Sequence, residues 1–239
     1  MKRASLLFFA VVVSFLVSAA ADHEDYHPER THLIDIVGKN FFFRGNNPLN
    51  ATSFVYDEVV SDFKKMALKE GGVELPDDIY FVDISLLNII TERSDIEMEK
   101  NFFESNPTKG EFVNYPMVGQ LVNPNSYPKS MMEYMAKHLD DWQIDRAPTR
   151  IDYIRSRLEQ QGDRPVALYV HCEAGTDRTG ELAGDYMLEY WPAPYNQNIE
   201  AVLDYADHIQ SRDIEVYSKH GIEWYCNYLK FGKGVDIAC

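Results

Sequence analysis

Short apolar runs alternate with amphipathic stretches along most of this chain. Leu33–Phe43, with Ile34 and Ile36 alternating, predicts an opening strand, and Gly45-Asn46-Asn47-Pro48 breaks it. From Ser53 to Lys69, Val55, Val59, Val60, Phe63, Met66 and Ala67 recur at helical spacing, and Gly71-Gly72 ends that helix. Residues 79–90, IYFVDISLLNII, are apolar and rich in β-branched side chains, which predicts a strand. A short helix over Asp95–Ser105, a strand over Glu111–Met117 and a helix over Ser130–Leu139 follow. A polar loop, Asp140–Thr149, leads to a helix over Arg150–Gln161. Gly162-Asp163-Arg164-Pro165 then turns the chain into an apolar strand, Val166–Val170. Beyond the next turn lies a helix over Thr179–Trp191, stopped by Pro192 and Pro194, and helices over Gln197–Gln210 and Ile214–Lys230 finish the chain. Strands alternating with helices predict an α/β fold: a single domain with a mainly parallel sheet covered on both faces.

The first 21 residues stand outside this pattern. Lys2 and Arg3 precede an apolar stretch, Leu6–Val17, interrupted only by Ser14, and small residues Ser18–Ala21 follow. This is the order of a signal peptide, so residues 1–21 are expected to be removed, leaving a domain of residues 22–239 that is secreted or held in the secretory lumen. No later stretch is apolar for long enough to span a membrane. Asn50-Ala51-Thr52 is a glycosylation sequon that suits this route. Cleavage after Ala20 would expose Ala21-Asp22-His23, an amino-terminal copper(II) or nickel(II) motif. Of the three cysteines, Cys226 and Cys239 either pair in an oxidising lumen, or Cys226 is simply buried against a frayed end. A net charge of −15 over 239 residues argues against nucleic acid and anionic membrane surfaces as partners.

Candidate chemistry concentrates after the strand Val166–Val170. There the chain reads His171-Cys172-Glu173-Ala174-Gly175-Thr176-Asp177-Arg178-Thr179-Gly180. A buried parallel strand delivers Cys172 to the carboxyl edge of the sheet, where open α/β folds place their sites. The turn into the next helix makes a nest of backbone N–H groups for an anion, and Gly175 lets the backbone come close. Arg178 supplies a fork for two phosphate oxygens. The same groups would hold Cys172 as a thiolate. Thiolate and bound phosphate together imply attack of sulfur on phosphorus with expulsion of an alkoxide or phenoxide.

This segment resembles the His-Cys-(five residues)-Arg-(Ser/Thr)-Gly loop of cysteine-dependent protein tyrosine and dual-specificity phosphatases. The resemblance implies a tyrosine-phosphatase-type fold, with Cys172 as nucleophile and Arg178 as phosphate clamp. It assigns Thr179 to breakdown of the cysteinyl-phosphate, His171 to orienting the loop, and Gly180 to close helix packing. Glu173, Ala174, Gly175, Thr176 and Asp177 would line the phosphate with Arg178. No metal and no cofactor is implied. The general acid should be an Asp on a separate upstream loop. Asp141, 31 positions before Cys172, ranks first, then Asp140 and Asp145, with Asp177 inside the loop as a fourth candidate. The Trp-Pro-Asp triplet of larger tyrosine phosphatases is absent.

The expected substrate is a phosphorylated protein, bearing phosphotyrosine or phosphoserine/threonine, or a small phosphomonoester. Lipid-acting members of the superfamily commonly carry Lys where Thr176 stands, and Glu173 adds negative charge. An inositol phosphate or phosphoinositide substrate would need cations such as Lys39, Arg44, Arg93 or Lys109 to converge. An inactive phosphate-binding module is the third reading, disfavoured by the intact Cys172 and Arg178.

Overall fold

A computed structural model describes residues 24–239; the expected leader, residues 1–21, and the Ala21-Asp22-His23 motif lie outside the described residues. The single expected opening strand is a hairpin. β1 (His32–Val37) and β2 (Asn40–Asn46) run antiparallel, turning at Gly38-Lys39. Two turn residues between alternating runs are the usual hairpin signal. Next come α1 (Tyr56–Gly71), β3 (Tyr80–Ser85), α2 (Arg93–Ser105), β4 (Gly110–Asn114) and α3 (Lys129–Lys137). The expected polar loop is partly helical. It holds α4 (Leu139–Trp142), and α5 (Ala147–Glu159) starts early because Pro148 suits a first helical turn. β5 (Val166–Cys172), α6 (Asp177–Tyr190), α7 (Ile199–His208) and α8 (Val216–Phe231) complete the order.

The sheet order is β1-β2-β5-β3-β4, with β5 central and parallel to both neighbours. Alternation along each strand builds two cores. On one face Phe41, Phe43, Phe81, Ala167 and Tyr169 pack against Val59, Phe63 and Ala67 of α1 and Phe103 of α2. Phe43 and Phe63 stack with centroids 4.3 Å apart. On the other face Phe42, Val82, Leu168, Val170 and Cys172 meet Ile151 of α5, Leu182 of α6 and Ile222 of α8. His171 and Cys172 therefore leave β5 on opposite faces.

Cys226 and Cys239 form a disulfide that ties the C-terminal segment to α8. No helix among the described residues is long and apolar enough to cross a membrane. A strap over residues 25–31 crosses the end of β2. There Asn46 Nδ2 donates to Asp25 O at 2.9 Å, and Asn46 Oδ1 accepts from His27 N at 2.9 Å. Tyr26 N donates to Leu49 O at 2.7 Å.

Candidate active site

β5 is buried from Ala167 to Cys172 and delivers Cys172 beside Asn46, the last residue of β2. The loop that follows is held from outside, one carbonyl after another. Glu173 O accepts from Asn47 N at 3.1 Å. Ala174 O accepts from Arg30 Nη1 at 3.1 Å, and Gly175 O from Arg44 Nη2 at 2.8 Å. Thr176 O accepts from Gly180 N at 2.9 Å within the first turn of α6. In a trans peptide N–H and C=O point to opposite sides. Pinning these carbonyls outward therefore turns the N–H groups of Ala174, Gly175, Thr176 and Asp177 inward, to make an anion cradle at the start of a helix. Gly175 is left-handed, at φ 71°, and a Cβ there would lie 2.5 Å from Gly45 O. Only glycine lets the loop rest this closely on β2.

Arg178 is in the first turn of α6. Its Nη1 and Nη2 donate to Glu92 Oε2 at 2.8 Å and Oε1 at 2.7 Å, and Nη1 also donates to Leu86 O at 3.2 Å. A guanidinium carries five N–H donors. These bonds use three, leaving Nε–H and the second Nη2–H side by side on one edge, a fork for two phosphate oxygens. Burial alone would lower the Arg178 guanidinium, but the hydrogen bonds and charge of Glu92 outweigh it and raise it. Glu92 is fixed in turn by Asn88 N at 2.7 Å. Arg44 lies wholly buried beneath the loop, and burial lowers it, against the support of Tyr205 and Cys172. Arg178, Arg44 and Arg212 all act electrostatically on Cys172.

The expected residues separate into those at the cradle and those elsewhere. Thr179 is buried one residue beyond Arg178, and its Oγ1 has no hydrogen-bond partner among the described residues. Asp177 is committed to structure: Oδ1 accepts from Arg212 Nη1 at 3.0 Å and from Glu215 N at 2.7 Å, and Oδ2 accepts from Arg212 Nη2. Glu173 is half-buried, and burial, with Glu92, Glu24 and Asp95 nearby, raises its carboxyl. His171 points away from the cradle, into the opposite core, with Nε2 at 3.0 Å from Asp83 Oδ1.

Asp141 is not brought to the cradle. Trp142 stays exposed while donating to Met135 O and meeting Trp224 edge-on, and Asp141 faces solvent, paired with His138 at 3.0 Å. Asp140 is likewise spent, accepting from Thr149 Oγ1 at 2.7 Å. Asp145 is fully buried and accepts from Val118 N and Gly119 N, each at 3.0 Å. Burial raises its carboxyl, against the pull of those N–H groups, Arg150 and Arg178. Of the cations expected to converge, only Arg44 does. Lys39 binds Asp163 O, Arg93 pairs with Glu97, and Lys109 lies over Tyr56. The sequence reading missed Glu92, Arg30 and Asn47. Arg44 carried one signal, a charged residue inside the apolar run FFFRG.

The chain matches no known protein-family profile and no curated protein sequence. Among solved structures it is similar to the core catalytic domain of the PP-IP phosphatase SIW14 from S. cerevisiae in complex with citrate, at 15% identity, TM-score 0.42, over 81% of this chain and 84% of that one. It is similar to the kinase-associated phosphatase with its catalytic cysteine changed to serine, at 11% identity, TM-score 0.45, over 89% of this chain and 97% of that one. A third is PTPMT1 in complex with PI(5)P, at 14% identity, TM-score 0.41, over 84% and 97%.

Proposed function

We propose that this chain is a phosphomonoesterase that works through a cysteinyl-phosphate. The observation that carries the reading is the run of carbonyls pinned outward after Cys172, together with Arg178, which Glu92 orients and which interacts electrostatically with Cys172. The Cys172 thiolate forms an S–P bond as the P–O bond to the leaving group breaks. The inward N–H groups and Arg178 take up charge on the equatorial oxygens. The departing oxygen accepts a proton, and Asp145 is the donor we favour: it is buried, its carboxyl is raised by that burial, and it interacts with Arg178. Water then attacks phosphorus, the S–P bond breaks, and the thiolate returns. The Thr179 hydroxyl is the group we assign to that second step.

Phosphorylated protein is the substrate class we favour. Glu173 sets a carboxylate beside the cradle that disfavours a polyanion, while Glu92 and Glu24 near it are paired with Arg178 and Arg30. A second reading, an inositol phosphate, is favoured by Arg30 on the Ala174 carbonyl and Arg212 on Asp177. Action in the secretory lumen is supported by the pattern of residues 1–21 and by the disulfide. Phosphate release from phosphotyrosine and phosphoserine peptides, soluble inositol phosphates and phosphoinositide vesicles, beside Cys172→Ser, tests the reading. Peptide turnover lost in the variant is expected. A variant retaining a tenth of wild-type turnover overturns the mechanism.

A further inference from the structure

Asp83, Glu99 and His171 take no part in the cradle, yet they form a buried cluster directly behind it. Ala167, Tyr169 and His171 share the α1/α2 face of β5, while Leu168, Val170 and Cys172 share the other. On the adjacent β3, Asp83 sits opposite Tyr169 and Ser85 opposite His171, so these side chains meet on one face. α2 lays Glu99 over them. All three residues are fully buried. His171 Nε2 is 3.0 Å from Asp83 Oδ1 and 3.8 Å from Glu99 Oε1, and the donor atoms of the trio all lie within 4.8 Å of one another.

We propose that Asp83, Glu99 and His171 hold a divalent transition-metal ion of the zinc class, on the face of the sheet opposite the nucleophile. The spacing fits. Two donors bound at about 2.1 Å to one zinc ion lie about 3.0 Å apart at a right angle and about 3.4 Å apart in a tetrahedron. The observed 3.0 and 3.8 Å bracket those values. The hydrogen bonding fits too. The ring nitrogens, the carboxylate oxygens of Asp83 and Glu99, and Ser85 Oγ all lack a well-aligned hydrogen bond among the described residues, though His171 lies against Asp83 and Ser85 against Glu99.

The charge also fits. Two carboxylates meet one imidazole, no Lys or Arg among the described residues pairs with either acid, and the further neighbours Asp95 and Glu92 are acidic as well. Two buried carboxylates brought this close repel each other unless a cation lies between them. One imidazole and two carboxylates suit zinc, cobalt, manganese or iron. The site is closed and faces away from Cys172, so its role is to tie β3, β5 and α2 together behind the loop. Positions 83, 99 and 171 follow no ligand spacing in the sequence, and the lone sign there is an Asp in the apolar run YFVDIS.

The test is independent of turnover. The protein, its disulfide intact, is unfolded in denaturant with a chelator and refolded with cobalt(II), with zinc(II) or with neither. Bound metal is counted by mass spectrometry, the cobalt form is read by its visible absorption, and each form is melted. The expected result is about one ion per chain, d–d bands, a melting temperature several degrees above the metal-free form, and loss of the ion in both Asp83→Asn and Glu99→Gln. Equal melting with and without metal, and no stoichiometric cobalt, overturns the proposal and leaves the acids carrying protons. Cobalt retained by both variants places the ion elsewhere and overturns it too. Where a variant fails to fold, paramagnetically shifted His171 ring resonances in the wild-type cobalt form decide, and their absence counts against the site.

Discussion

Gly175→Ala isolates the cradle's geometry from its chemistry. The new methyl carbon would lie 2.5 Å from Gly45 O, 2.6 Å from Gly45 C and 2.8 Å from Asn46 N, all main-chain atoms of β2. Gly45 and Asn46 are paired with His171 and Cys172 of β5, and the Asn46 side chain is tied to the strap, so this end of β2 resists retreat. The loop must therefore move by roughly 0.9 Å to reach an ordinary 3.4 Å contact. That movement stretches the 2.8 Å bond from Arg44 to Gly175 O to about 3.7 Å, past hydrogen-bond range, and frees the Thr176 N–H from its inward direction. Loss of one oriented donor, or a shift of about 1 Å, costs roughly a hundredfold in rate. The left-handed φ adds about 1–2 kcal/mol of instability, a melting shift of a few degrees. Gly234→Ala is the control: φ is 74° and nothing lies within 4 Å, so it shares the backbone cost without the collision. Hydrolysis of p-nitrophenyl phosphate, vanadate binding and thermal melts read the two variants. Gly175→Ala should lose about a hundredfold in kcat/KM and bind vanadate weakly, and Gly234→Ala should lose stability alone. Activity of Gly175→Ala within threefold of wild type would refute the pinned-carbonyl argument.

Arg178→Lys should cost at least about a hundredfold in kcat, because a point charge cannot grip two oxygens while bound to Glu92. Glu92→Gln, which keeps the shape but weakens the hold on that fork, should cost roughly tenfold, and kinetics on one aryl phosphate checks both. Asp145→Asn should slow phenyl phosphate about a hundredfold and p-nitrophenyl phosphate far less, with Asp141→Asn near wild type on both; the reverse ranking returns the acid to the solvent-facing loop. Glu181 on α6 is fully buried beside Asp185, and burial pushes its carboxyl well above the usual range. The native state then holds a proton that the unfolded chain releases, so stability is greatest at acid pH and falls as pH rises toward the raised value. Glu181→Gln should flatten the melting curve between pH 5 and 8, and parallel wild-type and variant curves would remove that account.

The α/β order, and the strand, loop and helix that carry Cys172, Gly175 and Arg178, were legible because each depended on short-range pattern. β5, its loop and α6 are contiguous, and the spacing of Cys172, Gly175 and Arg178 lies within one turn. Boundaries slipped where two elements shared one apolar run, as in the hairpin of β1 and β2, which reads as one strand until Gly38-Lys39 is taken as its turn. The environments of the three candidate acids were illegible for another reason. Asp140, Asp141 and Asp145 are near neighbours in sequence, and only their partners in the fold, Thr149, His138, and Val118 with Gly119, tell them apart. Glu92 and Arg30 carry no local mark at all, since their work depends on contacts with residues far along the chain.

Those long contacts bear on how the molecule assembles. Arg44 reaches a carbonyl 131 positions later, and Arg30 one 144 positions later. Loop-closure entropy must be met before such contacts return any free energy, so they are among the slow events of folding. During synthesis the strap and hairpin wait, complete but idle, until the far end of the chain has been made. In refolding, helical signal should return well before phosphate binding. A fragment spanning β5 to α6 alone would keep the cysteine, the arginine and the Thr176 to Gly180 bond but lose the three contacts from Arg30, Arg44 and Asn47 that turn the other amides inward.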